Sequence, residues 1–169
     1  MAPKKSIVKR KKLESVITKA VKDLCFTLDI KTTKTAPQRG KLLNRFEESD
    51  SRIERINVSE VTYYDKVACE HVPYSIDELK NMPGYTADTM TFENVWRNMD
   101  TNEITGTTTK TFKKKGGFSC WDVIQKILAF EKIDRPKSKW FGGVDCHHIY
   151  YEGIAFNDDG KTLGIYWGS

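Results

Sequence analysis

Long apolar runs are missing from this chain. No stretch approaches the ~18 successive apolar residues that cross a bilayer as a helix, so no membrane span is predicted. A glycine-rich phosphate loop and an RNP-type motif are also absent. Neither a P-loop nucleotide enzyme nor a standard RNA-recognition sheet is therefore predicted, and no cofactor is expected. Histidine is scarce at three residues, and the four cysteines form no C-x₂₋₄-C knuckle, the usual mark of structural zinc. No short apolar segment follows the basic N-terminus, so no secretory signal is predicted. The expected setting is then intracellular and reducing, with free thiols. Apolar residues make up only 38% of the chain. Counting the 11 glycines restores an ordinary globular composition, which argues against wholesale disorder.

What is present is charge of one sign at one end. Residues 1–45 hold 13 of the 28 Lys/Arg against only Glu14, Asp23 and Asp29. The net charge of +5 thus hides a strongly basic N-terminal part joined to a mildly acidic remainder. That asymmetry predicts an arm that binds a polyanion.

Along the chain, residues 1–12 read as a flexible tail. A basic amphipathic helix is predicted over 9–29, because Leu13, Val16, Ile17, Ala20, Val21, Leu24 and Leu28 recur at steps of three and four. Residues 31–40 lack large apolar side chains and read as a linker. The predicted division is an arm, 1–40, and a single α+β domain, 41–169, beginning with a short helix or strand at 42–48. Strands are expected over 52–58, 61–68, 89–98, 104–112, 144–156 and 162–167. Asp159-Gly160 between two apolar runs marks a hairpin turn. Ser75 with Glu78 three residues on predicts a helix at 75–82. Ser119 with Asp122, followed by Val123, Ile124, Ile127, Leu128, Phe130 and Ile133, predicts a second, ended by Pro136. The fold class is α+β, a mostly antiparallel sheet with one or two packed helices, preceded by the basic helix.

Several residue groups carry candidate chemistry. Lys4, Lys5, Lys9, Arg10, Lys11 and Lys12, extended by Lys19 and Lys22 off the apolar stripe, form a polyanion patch of the kind that also serves nuclear import. Such cations gain free energy by releasing counterions from a phosphate backbone, independently of sequence and with strong salt dependence. The stripe itself packs on the body or on a second copy, which would make a homo-oligomer. Tyr63, Tyr64, Trp96, Tyr150, Tyr151, Tyr166 and Trp167 fall on predicted strands, where they serve either as core or as stacking surfaces for bases. Cys69-Glu-His71 and Cys146-His-His148 place a thiol and an imidazole on one strand face each. Brought together, Cys69, His71, Cys146 and His148 would make a tetrahedral zinc set. Asp145 shares a strand face with His147, and His148 with Glu152, as acid–imidazole couples.

Cys120 begins a helix beside Lys113–Lys115, where the helix dipole and the lysines are expected to lower its pKa. With His147 or His148 it would make a Cys–His hydrolase. Gly117-Phe-Ser-Cys120-Trp121 resembles the C-G-S-C-W signature of papain-type proteases, with Gly117 replacing the first cysteine and only 26 residues between Cys120 and His147. The run from Gly116 to Trp167 resembles uncharacterised short proteins of large DNA viruses and fungi, a resemblance that implies no activity. The leading expectation is a non-enzymatic module whose residues 1–30 engage nucleic acid or an acidic protein surface, in a nucleus or a virion. The hydrolase and the zinc-stabilised interaction domain are the alternatives.

Overall fold

The computed structural model describes residues 15–33, 52–97, 101–133 and 148–168. These form a mixed α+β fold of eleven strands and three helices, with antiparallel pairing everywhere except between β7 and β11. The elements are α1 (Lys19–Lys22), β1 (Leu24–Cys25), β2 (Leu28–Thr33), β3 (Arg52–Val58), β4 (Thr62–Asp65), β5 (Glu70–Pro73) and α2 (Ile76–Asn81). There follow β6 (Pro83–Tyr85), β7 (Thr89–Arg97), β8 (Ile104–Lys113), β9 (Phe118–Ser119), α3 (Cys120–Glu131), β10 (Tyr150–Phe156) and β11 (Leu163–Gly168).

The largest sheet runs β10-β11-β7-β8, and β1-β4-β5 form a smaller one. The two are joined through the 26–28 segment. Leu28 N–H donates to the Ile149 carbonyl and Tyr151 N–H to the Phe26 carbonyl, both at 3.0 Å. The hairpins β2–β3 and β6–β9 complete the set. Helix α3 buries Val123, Ile124, Ile127 and Phe130, with the Phe130 ring 5.6 Å from Phe92 on β7. Both predicted capping boxes form. Ser119 Oγ accepts from Asp122 N–H at 3.1 Å, and Ser75 Oγ accepts from Glu78 N–H at 3.1 Å. Each satisfies a helix-start donor that would otherwise lack a partner.

The helix expected over 9–29 is corrected wherever the chain is described. Helix α1 lasts four residues, and strands β1 and β2 take over. A step of four fits both a helix and a strand, so Leu24 and Leu28 do not discriminate between them. Phe26, buried between them, does, because alternate burial of Leu24, Phe26 and Leu28 is the period of a strand. Part of the segment assigned to the arm packs with the body. Ile17, Val21, Leu24, Phe26 and Leu28 belong to the same core as Met90, Phe92, Ile124 and Tyr151. Phe26 stacks on Tyr151 with centroids 4.5 Å apart, and Tyr151 Oη donates to the Val21 carbonyl at 3.3 Å.

The strand expected over 61–68 stops at Asp65 and turns, because Asp65 Oδ1 accepts from the Val67 and Ala68 amides at 2.8 and 3.1 Å. Of the strand expected over 144–156, β10 takes Tyr150–Phe156, 148 and 149 are irregular, and 144–147 lie outside the described residues. The tail 1–12, residues 34–40 of the linker and the element expected at 42–48 lie outside the described residues. No helix of the described residues is long and apolar enough to cross a membrane.

Candidate nucleic-acid interface

Of the predicted polyanion patch, Lys4, Lys5, Lys9, Arg10, Lys11 and Lys12 lie outside the described residues. Lys19 and Lys22 stand exposed on α1, on either side of buried Val21. Lys19 is paired with Asp23 one turn on, which lowers what it can offer a phosphate. The apolar stripe of this segment faces inward, through Ile17, Val21 and Leu24.

Strand register sorts the predicted stacking residues into two groups. Tyr151 and Trp167 face the core, where Trp167 stands edge-on to Phe26 at 6.3 Å and Tyr151 is 1% exposed. Tyr63 is half-buried against Tyr74, with centroids 4.7 Å apart. Tyr64, Tyr150 and Tyr166 are exposed. Cross-strand partners point to one face, and the pairs Tyr150 with Thr27, Cys25 with Thr62 and Tyr64 with His71 share the solvent face of the joined sheet. The Tyr150 hydroxyl is held above its usual pKa, first by its hydrogen bond with Cys25 and then by desolvation. The side chain of Trp96 lies outside the described residues.

The expected activation of Cys120 is corrected. Its Sγ is fully buried beside the Pro83 carbonyl, to which the thiol donates at 3.7 Å. Burial pushes the thiol up to about 11, overriding the helix start and the nearby lysines. One of those lysines is otherwise engaged: Lys114 pairs with Asp122, the residue that already caps the helix. That pairing and the Ser119 hydrogen bonds outweigh partial burial and hold the Asp122 carboxyl below its usual range. The candidate partner His147 lies outside the described residues, while His148 is half-buried just before β10.

The zinc alternative assumed Cys69 and His71 on one strand face, and this is corrected as well. Cys69 sits in the β4–β5 turn with φ +55°, its thiol donating to the Lys66 carbonyl at 3.6 Å. His71 is on β5, its Nδ1 3.2 Å from Thr62 Oγ1 and its ring edge-on to Tyr64 at 5.3 Å. Cys146 and Asp145 lie outside the described residues. Among the described residues no group of three His, Cys, Asp or Glu is arranged to hold a metal.

The sequence displays Lys113-Lys114-Lys115-Gly116-Gly117, and in the fold the Lys114 and Gly116 amides donate to the Asp88 carbonyl and to Asp88 Oδ1. Comparison with protein-family models, curated proteins and solved structures finds no match. The class therefore rests on the fold alone, a mixed α+β protein with mostly antiparallel sheets.

Proposed function

We propose that this chain is a non-enzymatic binding module whose basic N-terminal part engages nucleic acid, in a nucleus or a virion. The observation that carries this reading is the distribution of charge, with 13 Lys/Arg against three acids in residues 1–45 of a chain that is net acidic elsewhere. Support also comes from the opposite side. Cys120, on which a Cys–His hydrolase would depend, is buried with a tightly held proton. The rings of Tyr64, Tyr150 and Tyr166 are open to bases on a solvent-facing sheet surface.

The test is a salt titration of binding to a labelled DNA duplex, with and without residues 1–12. These residues precede Ser15, the first described position, so their removal leaves the buried core residues in place. Phosphate contacts give a linear fall of log K with log salt, and deletion is expected to weaken binding and flatten that slope. Equal affinity and slope after deletion would overturn the arm as the binding element. Binding to an acidic protein but not to DNA or RNA would replace the nucleic acid as partner.

A further inference from the structure

Strand β8 is 10 residues long and forms one margin of the largest sheet. It pairs with β7 on one side, and among the described residues no strand pairs with the other. The ladder itself tells which backbone groups point to that open side. Lys114 N–H donates to the Asp88 carbonyl at 2.8 Å, one step beyond the pair Thr89–Lys113. In an antiparallel ladder, hydrogen-bonded pairs alternate with non-bonded ones. Phe112, Lys110, Thr108 and Gly106 therefore turn their backbone groups toward β7, while Lys113, Thr111, Thr109 and Thr107 turn theirs outward. The register runs without a break from Lys113 to Gly106 and shifts only beyond it.

The side chains of Thr107, Thr109 and Thr111 share the solvent face and are exposed. Thr111 Oγ1 lies 3.0 Å from Thr91 Oγ1, and Thr109 Oγ1 donates to the Glu93 carboxylate at 3.1 Å. On the opposite face Phe112 stands edge-on to buried Phe92, with centroids 6.2 Å apart, which ties the strand to the core. An extended edge held this way presents a row of outward N–H and C=O groups, a template for one more strand.

We infer that the outer edge of β8 pairs antiparallel with the same edge of a second copy, about a two-fold axis at Thr109. This register sets Thr109 against Thr109 and Thr107 against Thr111, and all of these turn their backbone groups outward. Each pair can then exchange both backbone hydrogen bonds. On the solvent face it repeats between copies the Thr–Thr pairing that Thr91 and Thr111 make within one, a pairing that stabilises sheets. Lys110 falls opposite Thr108, whereas an axis at Lys110 would set two like charges directly against each other. The antiparallel sense also carries the Glu103 end of one copy to the Lys113 end of the other, at both ends of the interface. A parallel pairing would bring like charges together. The strand is thus complementary to itself in backbone, side chain and charge, which selects a second copy as its partner. This goes beyond the proposed function and does not depend on it.

Sedimentation velocity of the full chain over a concentration series tests it. One strand edge buries less than a standard interface, so a dissociation constant of about 10–100 µM is expected. Thr109→Pro removes an outward N–H while leaving the hydrogen bonds to β7 in place, and proline is tolerated on an edge with that orientation. It is expected to raise the dissociation constant roughly 10- to 30-fold, because the axis doubles the loss. Glu103→Lys and Lys113→Glu each set like charges together at both ends and are expected to raise it roughly 3- to 10-fold, while the double variant returns it to the parent's value. Melting temperatures at concentrations where every variant is monomeric verify the fold, and the charge variants carry the test if Thr109→Pro does not fold. A parent that stays monomeric throughout the series overturns the inference. A dimer left unchanged by a folded Thr109→Pro uses another surface and overturns it as well. A double variant that associates no more tightly than the single ones also overturns it, since the two ends of β8 would then not meet.

Discussion

The indole Nε1 of Trp167 donates to the Glu131 carboxylate at 2.9 Å, joining the last turn of α3 to the final strand. Glu131 is only 2% exposed, at the end of the helix where the dipole disfavours an anion. A buried carboxylate there needs donors, and this indole is one of them. Trp167→Phe keeps most of the packing on Phe26 and Tyr151 and removes the donor. The expected cost is about 1–3 kcal/mol, the range for leaving a buried polar group short of a partner. Urea unfolding measures it, and an unchanged midpoint would show that this hydrogen bond contributes nothing net.

The second expectation concerns residues 15–28, read from sequence as an arm and found within the core. Phe26 is 2% exposed, stacked on Tyr151 and edge-on to Trp167. Phe26→Ala should cost about 3–5 kcal/mol, as for other buried aromatics cut to Ala. That is a large part of the stability of an ordinary domain. Removal of residues 1–12 should cost almost nothing by the same measurement. If Phe26→Ala unfolds at the parent's midpoint, the segment does not belong to the core.

What could be read in advance follows from the range of the interactions involved. Helices α2 and α3 were legible because Ser75, Glu78, Ser119 and Asp122 act within three residues of one another. The β7–β8 and β10–β11 hairpins were legible for the same reason, since a turn and its flanking alternation are local. Residues 24–28 were misread because their partners are the 58–63 and 149–151 segments, and pairing with those decides between two periods that the apolar steps leave open. The site suffered more than the fold. Whether a thiol at a helix start is activated depends on what covers it, and here that includes Pro83 and Gly84, neither of them near Cys120 in sequence.

Cys120 gives the last prediction, with a definite sign in pH. Its ordinary pKa of 9.0 applies to the unfolded chain, and burial raises it to about 11 in the folded one. Below pH 9 both states hold the proton, and stability does not change with pH through this group. As pH rises from 9 to 11 the unfolded chain releases the proton first, so the folded state loses its advantage progressively through that window. Two pH units of differential affinity correspond to about 2–3 kcal/mol. Tyr74, Tyr85 and Tyr151 are shifted upward as well, each first by desolvation, and add their own alkaline losses. The contribution of the thiol is therefore read as the difference between the parent and Cys120→Ala, measured by urea unfolding from pH 8 to pH 11. The gap between the two should narrow as pH climbs through the window, because only the parent loses the thiol term. Alkylation supplies an independent readout. In the folded protein near neutral pH the exposed Cys69 should react readily, while Cys120 should react no faster than the chain unfolds. Parallel stability curves together with rapid modification of Cys120 would mean that this thiol is open to solvent and ionises easily, and the hydrolase reading would then gain the support it lacks.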